Sequence, residues 1–184
     1  MTAARATAER LSARIRGYGI DLGSGTTEVP LRWVDSGVTC SGRLDFLLQN
    51  MTQIIDVKTT EGSVHPDACA AALCNQAGAI QDCAYRRAVE ILRPDLAGRV
   101  DVLFLFCQMV EPFAVTPVRC GGTMRQLGAL RWEAALRIWE RCLRLDEWPS
   151  HVSGPVFVEA PAWAMTKELM REEEASNAAL RGDE

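Results

Sequence analysis

The 184 residues predict an α/β protein, a mixed central sheet flanked by helices. Three observations carry that prediction. Two β-rich runs, 28–35 and 38–48, meet at Ser36-Gly37, a compact turn signal, and read as a hairpin. A third apolar run, 53–59, leads into a long Ala-rich segment and then into a strongly apolar strand at 100–111, "VDVLFLFCQMVE". Long helical patterns stand before and after this strand-rich middle.

The elements follow in order. Residues 2–17 alternate Ala with Arg and Glu and fit a solvated amphipathic helix. "GYGIDLGSGTT" is a glycine-rich connection to the hairpin strands "EVPLRWVD" and "VTCSGRLDFLL". Gln49-Asn50 gives a short polar turn into "QIIDVKT". The Ala-rich segment reads as one helix over about 66–93, starting near Pro66 and stopping before Pro94. "FAVTPVRC" (113–120) is a partner strand for 100–111, and helices are expected over 123–145 and 162–180. The expected organisation is one domain over 1–165 and an acidic helical or disordered tail over 166–184.

Bulk properties exclude several classes. Hydrophobic residues make 48% and charged residues 24%, a globular composition. No apolar run reaches the length of a membrane span, and residues 1–17 lack the apolar core of a secretory signal. Glu9 argues against an organelle transit peptide. The seven cysteines form no CxxC pair, and His65 and His151 are the two histidines, which disfavours a zinc or iron–sulfur site. The thiols read as small core residues of a cytoplasmic, reducing compartment. The net charge of −4 is local: 168–184 hold six acids against two arginines, and 1–167 hold 18 of each sign. A neutral body can still carry a strong local field in a cleft.

The chemistry concentrates in "QIIDVKTTEG". Asp56 and Lys58 interrupt an apolar strand, and such residues are seldom buried unless paired or metal-bound. Strand alternation puts Ile54, Asp56 and Lys58 on one face. In the preceding strand it groups Ser41, Arg43, Asp45 and Leu47, with Gly42, Leu44, Phe46 and Leu48 opposite. If the strands are neighbours, Asp45 lies beside Asp56. Two close carboxylates repel and invite a hard divalent cation with oxygen ligands. Lys58 then stands where it can orient or deprotonate a water, a set suited to phosphodiester hydrolysis. The plainer alternative is a buried Asp–Lys ion pair. Arg43 is either a phosphate contact or a clamp that pairs with Glu28 or Asp45.

"SGRLDFL", "IIDVKTT" and a following helix with "QDCAY" together resemble the PD-(D/E)XK nuclease superfamily, and more narrowly its phage-type exonuclease VIII (RecE-like) branch. "EVPLRW", "VEPFAVTPV" and "ALRIWERCLRLDEWPSH" with "APAWA" extend the resemblance over roughly 28–165. It implies a restriction-endonuclease-like core. Asp45, Asp56 and Lys58 become catalytic. Asp45, Asp56, the Val57 carbonyl and Glu28 would be ligands of Mg²⁺, or of Mn²⁺ in its place. Gln81 and Tyr85, four apart on one helical face, would guide the nucleic acid strand, with Arg43 assisting. The implied activity is a metal-dependent exonuclease of the recombination type acting on linear duplex DNA. Implied partners are DNA, further copies of the chain in a homo-oligomer or ring, and a single-strand annealing protein, with no membrane. The branch also carries a histidine ligand on an upstream helix. Residues 1–44 contain none, so the chain reads as N-terminally shortened. The alternative is therefore a catalytically weakened nuclease fold that binds DNA or protein.

Two other signals point elsewhere. "GIDLGSGTT" (19–27) resembles the phosphate loop of actin-like ATPases but lacks the companion motifs and the chain length. Arg137, Arg141 and Arg144 form a stripe on the last long helix. Glu133 and Glu140 precede Arg137 and Arg144 by four, which fits surface pairing better than phosphate contact. Trp132, Leu136, Trp139 and Leu143 form the opposing apolar ridge.

Overall fold

A computed structural model describes residues 3–181, with side chains over 5–177. Thr2, Asp183 and Glu184, parts of the expected first helix and acidic tail, lie outside these residues. The chain forms two compact units, 1–147 and 148–184. The first contains α1 (Ala3–Gly17), β1 (Gly25–Asp35), β2 (Val38–Leu48), β3 (Gln53–Thr60), α2 (Pro66–Asn75), α3 (Gly78–Leu92), a 3₁₀ turn (Pro94–Leu96), β4 (Asp101–Gln108), β5 (Val115–Arg119) and α4 (Gly122–Leu145). The second contains an irregular stretch and α5 (Ala162–Arg181), within which the expected boundary at 165 falls. Among the described residues no helix is long and apolar enough to cross a membrane.

The five strands lie in the order β1-β2-β3-β4-β5. Only β3 and β4 are parallel; the other neighbours are antiparallel. A parallel pair needs a crossover, and α2 and α3 supply it. The expected α/β fold, a mixed sheet flanked by helices, is what forms. The hairpin turn is built from Ser36 (φ 52°) and Gly37 (φ 81°), both left-handed, the geometry that matches the twist of two-residue hairpins.

Each face of the sheet has its own core. Leu44, Leu47, Ile54, Val102, Phe104 and Phe106 pack with Cys69 and Leu73 of α2 and Val89 of α3. Phe46, Ile55, Leu103, Leu105 and Cys107 pack with Ile15 and Leu11 of α1. Both faces of β4 are thus covered, which is why it reads as an unbroken apolar run rather than an alternating one. All seven cysteines are free. Burial pushes the Cys120 thiol up to about 12, with Asp82 adding to the effect, so it is an inert core group.

Two expectations need correction. The segment over 66–93 is two helices, not one. Gln76 ends α2 by donating its N–H to the Ala72 carbonyl, and Ala77 adopts a left-handed φ of 61°. The turn is tight: a Cβ on Gly78 would fall 2.5 Å from Leu73 Cδ2, so glycine lets α3 start against the end of α2. The break frees α3 to take its own direction across the sheet.

Strand β2 also departs from the expected alternation. Leu44 packs in one core with Leu47, whereas Phe46 and Leu48 pack in the other. The pattern slips by one residue between Leu44 and Leu47. The physical reason lies next door. Glu28 in β1 has φ 54°, and the ladder passes from Thr27↔Phe46 to Val29↔Leu44 without pairing Glu28 to Asp45. A kink shared by two strands re-aims side chains, as bulges do beside functional sites.

Helix α4 closes the first unit against α3. A Cβ on Gly128 would collide with the Ala79 carbonyl, so glycine allows the two helix backbones to touch. Trp132 stacks on Trp33 of β1 with ring centroids 6.3 Å apart. Beside Trp132 sits Asp35, only 2% exposed. It accepts from Arg87 Nε (2.6 Å) and Nη2 (2.5 Å) and from Trp132 Nε1 (2.9 Å). One carboxylate thereby ties the hairpin to α3 and α4. Arg144 pairs with Glu140 at 3.4 Å, as the surface reading of that stripe expects.

Candidate active site

The site forms where β2 and β3 part. Their ladder holds Phe46↔Ile55 and Leu47↔Ile54 and goes no further. Beyond it, the Val57 N–H has no strand partner on β2 and instead donates to Asp45 Oδ2 at 2.8 Å. The strand divergence thus fixes the first carboxylate against the backbone of the next strand.

Asp56 is buried, 2% exposed, on the face covered by α3. Gln81 Nε2 donates to its Oδ1 at 2.6 Å. Lys58 Nζ lies 2.8 Å from its Oδ2, but off the hydrogen-bonding direction, so this buried oxygen has an ion pair and no aligned donor. The same ammonium donates to Gln81 Oε1 at 2.7 Å and sits 5.8 Å from the centre of the Phe104 ring, within cation–π range. Burial pushes the Asp56 carboxyl above the usual carboxylate range. Lys58 opposes that, Asp45 adds to it through like charge, and Gln81 opposes it.

Gln81 and Tyr85 are one helical turn apart on α3. Gln81 Nε2 lies 3.2 Å from the Tyr85 hydroxyl, which donates to the Arg43 carbonyl at 3.0 Å. Gly42 leaves room for that tyrosine: a Cβ there would lie 3.1 Å from its ring. One connected chain of hydrogen bonds therefore runs from β2 through α3 to both charged residues of β3. Arg43 Nε pairs with Glu28 Oε2 at 2.8 Å. The clamp alternative for Arg43 is thus the geometry present, with Glu28 as its partner.

Six residues singled out in the sequence come together: Asp45, Asp56, Lys58, Gln81, Tyr85 and Arg43. Gln81 and Tyr85, expected to face the nucleic acid, are engaged with the protein's own groups. Glu28 is held by Arg43, and among the described residues no cluster of three or more His, Cys, Asp or Glu is placed to hold a metal. Sequence reasoning missed Phe104. The parallel register, Asp56↔Phe104, places it beneath the site, but a ring within "VDVLFLFCQ" carries no sign of which neighbour it will meet. It also missed Asp82, fully buried beside Gln81 in the chain and bound by Arg86 at 3.0 and 2.9 Å.

The donor set fits a hard divalent cation. It offers two carboxylates, one of them with a buried oxygen that has no aligned donor. Mg²⁺ commonly takes one or two carboxylates and completes its shell with water and substrate phosphate.

Fold and site together define an α/β protein with a mixed five-stranded sheet and an acid–lysine cluster at a strand divergence. The architecture is similar to that of a candidate exonuclease from Eubacterium rectale, known from a crystal structure, with a TM-score of 0.61 and 13% identity. The match covers 88% of this chain and 65% of that one, so the chain spans just under two thirds of its neighbour's length. At that identity the likeness concerns the fold and singles out no branch of nucleases. A second solved structure, SSO0001, gives a TM-score of 0.38 at 15% identity over 76% of this chain and 57% of that one. No family model and no curated protein matches the chain.

Proposed function

We propose that the protein is a metal-dependent deoxyribonuclease, an exonuclease of the recombination type acting on linear duplex DNA. The observation that carries this reading is the buried Asp56 beside Asp45 and Lys58, held by Gln81 at a fold shared with a candidate exonuclease. Asp45, Asp56 and the Val57 carbonyl would hold a Mg²⁺ or Mn²⁺ ion. Such a cation supplies activation of water and neutralisation of charge on the phosphate. The chain's own residues do the rest. Gln81 fixes the Asp56 carboxylate and the Lys58 ammonium relative to one another. Lys58 orients the attacking water or donates to the charge that develops on the phosphate. Arg43, two residues before Asp45 in β2, is suited to a DNA phosphate once it leaves Glu28. A homo-oligomer around the duplex and an annealing-protein partner belong to the same proposal.

End-labelled linear duplex incubated with Mg²⁺ is expected to lose its label progressively, while a closed circle of the same sequence survives. Chelation should stop the loss. Intact linear DNA under all conditions would favour the second reading, a weakened nuclease fold that binds DNA or protein. What speaks for that reading is Glu28, engaged by Arg43 rather than joined to Asp45 and Asp56.

A further inference from the structure

Glu28 adopts a left-handed φ of 54° in the middle of a strand, a conformation that side chains other than glycine rarely take. It is also the position skipped in the β1–β2 ladder, in register with Asp45 but unpaired. Strain of this kind persists where surrounding contacts hold it, and it collects at functional sites. Here the ladder pairs on either side, Thr27↔Phe46 and Val29↔Leu44, hold the backbone, while the Glu28 side chain pairs with Arg43. Both partners are well exposed, 70% and 59%, so water screens the pair and another anion can readily replace one side of it. Arg43 is also tied to the acids through its backbone: its carbonyl receives Tyr85, which contacts the Gln81 that holds Asp56 and Lys58. At the far end of that chain, the buried Asp56 Oδ2 has no aligned donor.

We propose that the Arg43–Glu28 pair is a latch that couples DNA binding to cation binding. A DNA phosphate takes the Arg43 guanidinium, and the released Glu28 carboxylate becomes the third acid of the cation site beside Asp45 and Asp56. The inference rests on the cation-dependent reading above and adds its regulation. The exchange is chemically reasonable, because a guanidinium matches phosphate geometry at least as well as carboxylate. In the free protein the latch also keeps a third negative charge away from two acids that already repel. Linkage then makes the effect reciprocal: DNA raises cation affinity, and the cation raises DNA affinity by the same factor.

Calorimetric titration with Ca²⁺, a hard oxygen-seeking cation, tests this without relying on turnover. Without DNA, Arg43→Gln is expected to raise Ca²⁺ affinity roughly threefold by releasing Glu28, the scale that a screened surface pair can hold back. In a Glu28→Gln background the same Arg43→Gln substitution should change nothing, which closes a double-mutant cycle. A blunt duplex oligonucleotide should raise the affinity of the wild-type chain more than that of Glu28→Gln. The latch is overturned if Arg43→Gln leaves Ca²⁺ affinity unchanged, or raises it equally in the Glu28→Gln background, as mere loss of a nearby positive charge would. It is also overturned if DNA raises both affinities equally. Those results leave the cation site standing. A wild-type chain that takes up no Ca²⁺ with or without DNA overturns the cation site itself.

Discussion

Asp56→Asn and Lys58→Ala are each expected to lower the rate of linear-duplex cleavage about 10²–10³-fold, the scale seen when a preorganised charge-stabilising group is removed. The two losses differ in what they do to the fold. Asp56 sits in the sheet with its charge unfavourably buried: the folded carboxyl holds its proton more tightly than the unfolded one. The sign follows from linkage. A raised carboxyl costs stability as pH rises from the unfolded value through the folded one, so at neutral pH its ionised form is a burden on the fold. Asparagine removes that charge and can still accept from Gln81. Asp56→Asn should therefore melt no lower than wild type, the usual trade between stability and activity at such a site. Lys58→Ala leaves Asp56 buried without its counter-charge and should melt lower. Thermal melts beside initial cleavage rates read both effects. An Asp56→Asn variant that cleaves at the wild-type rate removes Asp56 from the chemistry.

The largest effect on stability is expected at Asp35. Its replacement by alanine leaves Arg87 and Trp132 Nε1 without their acceptor between the hairpin, α3 and α4. Breaking a buried pair by removing one partner costs about 3–5 kcal/mol. Arg87 is partly exposed and can recover water, so the loss should be about 3 kcal/mol, near the lower end. The Arg87 guanidinium is the main reason that the Asp35 carboxyl is held down at about 2. A depressed carboxyl contributes stability that is fully present above its unfolded value, near 4, and lost as pH falls through about 2. Urea midpoints of wild type should fall over that interval by the equivalent of about 2 kcal/mol. Those of Asp35→Ala should lack this component. Equal acid sensitivity in the two chains would remove Asp35 from the acid transition.

Much of the layout was legible because local chemistry and tertiary context agree there. Ser36-Gly37 closes the hairpin as two left-handed residues should. The alternation of 53–59 puts Asp56 and Lys58 on one face, where both meet Gln81. The four-residue spacing of Gln81 and Tyr85 places them on one helical face, as expected. What stayed hidden depends on contacts between distant segments. Ala77 is a good helix former, yet it takes the left-handed turn that separates α2 from α3, because Gly78 must pass Leu73. Glu28 gives no local sign of its kink, and without that kink the slip of alternation at Asp45 cannot be anticipated. Asp35 reads as an ordinary strand end; only α3 and α4 packing over the hairpin turn it into a buried junction. The destination of the Gln81 amide was equally hidden. Its helical face was readable, whereas its engagement with Asp56 and Lys58 depends on how α3 crosses the sheet.

Under the proposed function Asp45 and Asp56 hold a divalent cation. Calorimetric titration of the wild-type chain with Mn²⁺, set beside Asp45→Asn and Asp56→Asn, tests it most directly. Saturable uptake by wild type, lost in both variants while their melts stay intact, is the predicted result. Uptake unchanged by either substitution, or no uptake by the wild-type chain, would contradict it.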